Sequence, residues 1–364
     1  MIKRKVSVAI IGGSSITGGE VCRLLLNHPF VESIMPVSRS EENFERIHPN
    51  LQGSNLVFSR IEDLLSSNSI PDILFFCTPS GEAMQYVPTF LDRGAKIIDL
   101  SADFRFRKAS DYESVYGAKH TASQILDKAI SGITEFFRKD IAQARLVANP
   151  GCYVIASVLG IIPILQSDLI DPNSQIHICA INGTTGAGSG LKKELHHAHA
   201  FGSMLPYNLN GHRHRLEIEQ RLYEISGKQA TVDLITIHGN FARGIIIIAS
   251  IPLSRGTVTR NDLCHLYKQF YKTGKKNEYF IQVNDFQSLA KESHAKEYDI
   301  YPSLARVVGS NFCHIGLDYE KGRGVIKVIS VIDNLVKGAA GSAIQNMNVM
   351  LGIKEQEGLL TYGL

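Results

Sequence analysis

Residues 6–21 read Val6-Ser7-Val8-Ala9-Ile10-Ile11-Gly12-Gly13-Ser14-Ser15-Ile16-Thr17-Gly18-Gly19-Glu20-Val21. The run Val6 to Ile11 is short, mostly apolar and rich in β-branched residues, the pattern of a buried strand. Gly12 to Gly18 form a glycine-rich turn. Thr17 and Glu20 stand at capping-box spacing, and Val21, Leu24 and Leu25 then carry a helical stripe that ends at His28-Pro29. Strand, glycine turn and capped helix together form the setting in which a helix N-terminus receives a pyrophosphate. A strict G-x-G-x-x-G is absent, because Ser14 and Ser15 fill its middle, so a turn without a ligand stays open as a reading. Gly12, Ser14, Ser15, Ile16 and Thr17 are the candidate phosphate contacts.

Working outward, Val31 to Val37 reads as a second strand, Pro71 to Cys77 as a third and Lys96 to Leu100 as a fourth, with a helix over Met84 to Leu91. Strands alternating with helices imply βαβ units on a parallel sheet. An NAD enzyme usually places a carboxylate at the end of the second strand. This chain has Ser38-Arg39-Ser40 there, with Glu41 only afterwards. A guanidinium and hydroxyls suit a ribose 2′-phosphate, so NADP(H) is favoured over NAD, with Ser38 and Arg39 as contacts; a solvated surface arginine is the alternative.

The pattern changes at Asn149-Pro150-Gly151-Cys152. Val154 to Leu165 is apolar nearly all round and reads as a buried helix. Strand-like runs follow at Ile176 to Ile181, Thr231 to Ile237, Ile245 to Ile251 and Val325 to Ile332, which point to a mixed or antiparallel sheet in a second, α+β domain. A last helix is expected over about Ala339 to Leu351.

Composition narrows the class. A chain of 364 residues, 44% hydrophobic and 20% charged, is long enough for two cores and excludes disorder, collagen and a disulfide miniprotein as overall descriptions. A net charge of +3 gives no bulk reason to expect nucleic acid or a membrane surface. Six cysteines without a C-x-x-C pair fit a reduced, cytoplasmic chain. The basic start is followed by too short an apolar run for a signal peptide, and no 18-residue apolar stretch suggests a membrane span.

Cys152 stands at the start of the buried helix, where the helix N-terminus favours a thiolate. A thiolate can attack an acyl carbon and form a thioester. The other five cysteines read as core residues. In Gly211-His212-Arg213-His214-Arg215-Leu216-Glu217 a histidine titrating near neutral pH can exchange protons, Glu217 can orient an imidazole, and an arginine can hold a carboxylate or phosphate; an exposed helix start would show the same pattern. His196, His197 and His199 lack a carboxylate at metal-ligand spacing, so no metal is expected.

These segments, with Ser101-Ala102-Asp103-Phe104-Arg105 and Asp333-Asn334-Leu335-Val336-Lys337-Gly338-Ala339-Ala340-Gly341, occur in an order that resembles the N-acetyl-γ-glutamyl-phosphate reductase family of arginine biosynthesis over nearly the whole chain. The chain departs from that family's pattern at Ser15, where a glycine is common, and at Ser80, where a histidine is common. The resemblance implies a Rossmann domain over 1–151, an inserted α+β catalytic and dimerisation domain over 152–332, and a segment 333–364 returning to the first. It implies NADPH reduction of a small-molecule acyl phosphate through a thioester on Cys152, with His212 as acid–base residue. Arg105, Glu217, Tyr207 and His214 would be substrate-side or orienting groups, and Asn334 would lie near the nicotinamide. Tyr207, the Gly-His-Arg-His form and Tyr301-Pro302 resemble the lysine-biosynthesis branch, in which a small acidic carrier protein blocks the substrate amine. A homo-oligomer, dimer or tetramer, is expected. A non-catalytic NADP-binding regulator is the alternative of another class, and aspartate-semialdehyde dehydrogenase the neighbouring enzyme.

Overall fold

The computed structural model describes residues 5–170, 174–254, 256–273, 276–287, 297–359 and 361–363. The chain divides into two compact units, Met1–Gly151 with Ala339–Leu360, and Cys152–Gly338 with Thr361–Leu364.

The first unit carries strands β1 (Val6–Ile11), β2 (Val31–Val37), β3 (Ile73–Phe76), β4 (Lys96–Asp99), β5 (Ala129–Ser131) and β6 (Leu146–Ala148). Its helices are α1 (Ile16–Leu25), α2 (Phe44–Ile47), α3 (Ile61–Ser66), α4 (Ala83–Asp92), α5 (Ala109–Tyr116) and α6 (Thr134–Ile141). The strands pair in the order β2-β1-β3-β4-β6-β5, and every pairing is parallel. This is the expected βαβ sheet, and β3 is buried at every residue, as a parallel strand covered on both faces must be. Ile11 is in register with Val37 on one side and Phe76 on the other, so β1, β2 and β3 end level and their following turns share one edge.

The second unit holds α7 (Cys152–Gln166), β7 (Gln175–Asn182), α8 (His197–Ala200), β8 (Leu205–Tyr207), α9 (His214–Ser226), β9 (Thr231–His238), β10 (Ile245–Pro252) and α10 (Arg260–Tyr271). It continues with β11 (Lys272–Thr273), β12 (Lys276–Asn277), β13 (Ile281–Val283), β14 (Cys313–Glu320) and β15 (Val325–Ile332). Seven strands form a mixed sheet in the order β13-β14-β15-β10-β7-β9-β8, with β7/β9 and β13/β14 parallel, as the strand-like runs suggested. Residues Tyr153 to Leu165 of α7 are all buried, which accounts for its apolar circumference. Gly160 lets this helix close on the sheet, since a Cβ there would lie 3.1 Å from Ser330. On β9 and β10 the alternate residues turn outward, leaving Ile235 41% and Ile248 39% exposed.

The chain ends with α11 (Gly341–Met350), in the first unit; a π-helical turn over Val336–Ala340 precedes it. Its polar residues are buried and paired. Asn346 donates to the Gly132 carbonyl at 2.9 Å and to Asn149 Oδ1 at 3.1 Å, and it accepts from the Thr134 hydroxyl at 2.7 Å. The Ser342 hydroxyl donates to the same Asn149 oxygen at 3.0 Å. These bonds fix Asn149 three residues ahead of Cys152 in the chain.

Candidate active site

Two regions carry the predicted residues. In the first unit, the turn after β1 is shaped by its glycines. Gly12 has φ +87°, and a Cβ there would sit 2.5 Å from the Cys77 carbonyl oxygen. A Cβ on Gly18 would sit 2.4 Å from the Gly12 oxygen, so α1 starts against the turn itself. The helix cap is Ser15, not the Thr17–Glu20 box expected from spacing. Ser15 Oγ accepts from the Gly18 amide at 2.9 Å and donates to the Gly12 carbonyl at 2.8 Å. Glu20 pairs instead with Arg23 one turn on. With Gly18 capped, the amides of Ile16 and Thr17 are the helix-start donors without an intrahelical acceptor. A cradle closed to any Cβ, with helix-start amides beside it, fits a dinucleotide's pyrophosphate.

At the end of β2, Ser38 Oγ donates to Ser14 Oγ at 2.9 Å, joining the two turns. Arg39 is 81% exposed and pairs with Glu82 at 2.9 Å. Arg60, which the sequence reading passed over, donates from Nη1 to the Arg39 carbonyl at 2.7 Å and lies 3.7 Å from Glu41. Two cations therefore stand together beyond the end of β2. Arg60 lies 21 residues beyond Arg39, and pairing of Ser59 with the end of β2 brings it there.

The Ser101–Arg105 segment is a scaffold in the same unit. Asp103 accepts from the amides of Gly81 at 2.7 Å and Met84 at 3.0 Å, which holds the start of α4. Arg105 is 9% exposed and donates to the carbonyls of Leu100 at 2.8 Å and Asn149 at 3.0 Å.

In the second unit a cavity of about 480 Å³ is lined by Cys152, Tyr153, Tyr207, His212 and His214. It gathers the first turn of α7, strand β8 and the loop before α9. Tyr153 and Tyr207 share a hydrogen bond between their hydroxyls at 3.0 Å, and both rings meet His212 edge-on. Burial pushes the Tyr207 phenol up to about 12 and the Tyr153 phenol well above its ordinary range, so both stay protonated.

His212 differs from expectation in two ways. Burial, reinforced by Arg213 and His238, lowers it from 6.5 to about 4, so it does not titrate near neutrality. Its Nδ1 accepts the backbone amide of His214 at 3.1 Å, so the main chain rather than Glu217 orients the ring. The neutral ring then carries its proton on Nε2. Glu217 is buried in the first turn of α9.

Asn334 is also in the second unit, where its amide accepts from Gly244 at 2.7 Å and donates to the Thr185 hydroxyl at 3.0 Å. The neighbouring Asp333 accepts from the amides of Leu335, Val336 and Gly309 and from Arg243. The turn so fixed presents Gly338 to Cys152; a Cβ there would lie 2.9 Å from the Cys152 Cβ. Asn182 and His238 also line the cavity and were not singled out from sequence, since each stands as a lone polar residue at a strand end. Among the described residues no group of His, Cys, Asp and Glu could hold a metal ion, and no helix is long and apolar enough to cross a membrane.

Comparison with known proteins matches both units. A family model described as the NAD binding domain of semialdehyde dehydrogenase matches residues 7–144, and one described as the semialdehyde dehydrogenase dimerisation domain matches residues 152–334. N-acetyl-gamma-glutamyl-phosphate reductases of Methanosphaera stadtmanae and Halothermothrix orenii are each 38% identical, over 99% of both chains. The chain belongs to the N-acetyl-γ-glutamyl-phosphate reductase family. It is an oxidoreductase of the aldehyde level with a dinucleotide-binding domain. This reductase is also 38% identical to a Nitrosopumilus maritimus protein named putative LysW-L-2-aminoadipate/LysW-L-glutamate phosphate reductase, over 97% of this chain and 98% of that one. Its fold matches aspartate semialdehyde dehydrogenase II of Vibrio cholerae with TM-score 0.70 at 15% identity, covering 96% of this chain and 99% of that one.

Proposed function

We propose that this reductase converts N-acetyl-γ-glutamyl phosphate to N-acetylglutamate semialdehyde, using NADPH and releasing phosphate. The observation that carries the reading is the cavity lined both by Cys152, at the start of a buried helix, and by an oriented, neutral His212, in a chain 38% identical to such reductases end to end.

The Cys152 thiolate attacks the acyl carbon; the new C–S bond forms as the C–O bond to phosphate breaks, and phosphate leaves with the electron pair. NADPH, when bound, supplies the hydride that takes the thioester to the aldehyde level. His212 offers its Nε2–H to the acyl oxygen as negative charge develops there, acting as a hydrogen-bond donor. Its other nitrogen is occupied by the His214 amide, so it does not serve as the thiol's base. Collapse of the oxyanion expels the Cys152 thiolate and frees the semialdehyde. Gly12, Ile16 and Thr17 hold the pyrophosphate, while Ser14 and Ser15 shape the turn. Arg39 and Arg60 face the 2′-phosphate, each exchanging a carboxylate partner for it. Tyr207 and His214 position the acyl chain, Arg105 holds the Asn149 carbonyl within its own unit, and Asn334 acts through the Thr185 loop.

A second reading replaces the acetyl cap with a carrier protein. Equal identity to the LysW-named relative favours it, as does the position of exposed Lys192 and Arg213 on the same cavity. The open sheet face around Ile235 and Ile248 suits a second copy of the chain, in keeping with the dimerisation-domain match. Ile248→Asp is expected to lower the mass seen by sedimentation to that of a monomer; an unchanged mass places the interface elsewhere.

Phosphate-dependent NADP⁺ reduction, assayed with acetylated glutamate semialdehyde and with carrier-linked aminoadipate semialdehyde, separates the readings. Turnover of the first supports the proposal. Turnover of the second alone selects the carrier reading, and turnover of neither with NADPH still bound supports a regulator.

A further inference from the structure

Asn182 and His238 are register partners at the carboxyl ends of the parallel strands β7 and β9. Both line the cavity that holds Cys152, and they are 1% and 9% exposed. Asn182 Oδ1 and His238 Nδ1 are buried and have no hydrogen-bond partner among the described residues. Everything around them is held in place. The loop after β7 closes over the Asn182 amide, so that a Cβ on Gly186 would lie 2.1 Å from its Nδ2. Asn334 ties that loop down through Thr185 at 3.0 Å. The Tyr207 ring stacks on His238 at 4.2 Å with 6° between planes.

A buried polar atom left unpaired is costly, and two rigid ones side by side at strand ends mark a place where a ligand completes the pairing. The pair is neutral: an amide beside an imidazole whose charged form burial and Lys192 disfavour. A neutral acceptor next to a neutral donor matches the –NH–CO– of a secondary amide. It offers no countercharge to a free ammonium. Acylating an α-amine, whether with acetyl or with a carrier's carboxyl, creates such an amide.

We infer that Asn182 and His238 are specificity-determining residues that read the secondary amide of the capped substrate amine. Asn182 takes the amide N–H, and His238 donates to the amide carbonyl. The inference rests on the proposed acyl-phosphate chemistry and holds for either cap, since both contain the same group. An uncapped amine lacks the carbonyl that His238 would bind.

The test compares kcat/KM for the acetylated semialdehyde and for its ester isostere, in which oxygen replaces the amide N–H. The carrier-linked pair serves in the same way if the carrier-linked substrate is preferred. Wild type is expected to favour the amide by roughly 10-fold or more. Asn182→Ala should lower the amide value towards that of the ester and leave the ester within about 3-fold, so the preference disappears. His238→Asn, which restores a donor near Nδ1, should turn over both compounds better than His238→Ala. Equal loss on amide and ester in Asn182→Ala, or no preference in wild type, overturns the inference while leaving the reductase reading intact. Wild-type turnover of neither capped substrate overturns both.

Discussion

The turn after β1 and the cavity beside α7 are built on different plans. The turn is local: one strand end, three glycines and a serine cap within seven residues, with specificity added by cations at the next strand end. It uses backbone amides, so its chemistry depends on chain path. The cavity is convergent. Its thiol, phenols and imidazoles come from segments up to 86 residues apart, Cys152 to His238, and its chemistry depends on side-chain protonation and orientation. A local backbone site breaks when a Cβ is added; a convergent side-chain site breaks when one atom is exchanged.

That contrast sets the predictions. The largest effect is expected in the cavity. Cys152→Ser should lower turnover by about 10³-fold or more, because a hydroxyl at neutral pH is a far poorer nucleophile, while NADPH titration stays unchanged. Wild-type turnover in this variant would remove the thioester route. Cys22→Ser and Cys313→Ser, altered in buried core positions, should remain active.

In the turn, Gly12→Ala should act through geometry alone. A side chain at φ +87° and 2.5 Å from a carbonyl oxygen costs about 1–3 kcal/mol and displaces the cradle. We expect a lower melting temperature and roughly 10-fold or greater loss of NADPH affinity. Unchanged affinity would mean that the turn does not receive the pyrophosphate. Next in size, Arg39→Asp should move the kcat/KM ratio from NADPH towards NADH by about 10-fold, since it exchanges a phosphate partner for a hydroxyl acceptor. Arg60→Ala should weaken NADPH with little effect on NADH. An unchanged ratio in both would place the 2′-phosphate elsewhere.

The smallest effect is a titration. The folded chain protonates His212 near 4 and the unfolded chain near 6.5, so the stability this group contributes is present above 6.5 and is lost as pH falls through about 4. Imidazole resonances followed by NMR should show a His212 midpoint near 4. A midpoint near 6.5 would restore the acid–base role expected from sequence.

Legibility followed the same divide. β1 and β15 lie where their apolar runs predicted them, because a strand buried on a sheet writes its length into the sequence. The dinucleotide turn was legible for the same reason, although its cap was misplaced. Thr17 and Glu20 have the right spacing, but Ser15 precedes the first helical residue and takes the bond. In the cavity, Cys152 was legible because a Pro-Gly turn before an apolar run marks a helix start. The low His212 titration was not, because burial and the His214 amide arise only on folding. Asn182 and His238 were silent for a related reason: they lie 56 residues apart, and only parallel strand pairing makes them neighbours. The polar residues of α11 were visible in the sequence, but their partners Thr134, Gly132 and Asn149 were not.

The central claim is an acyl thioester on Cys152, and the reverse reaction tests it directly. Wild-type protein mixed with NADP⁺ and the preferred semialdehyde, without phosphate, transfers hydride and stops at the acyl-enzyme, since the acceptor that would release the acyl group is missing. The account predicts a burst of one NADPH per chain, an intact-mass increase equal to the acyl group, and its location on the Cys152 peptide, with steady turnover resuming when phosphate is added. Steady turnover on adding phosphate, with neither burst nor adduct beforehand, would contradict it.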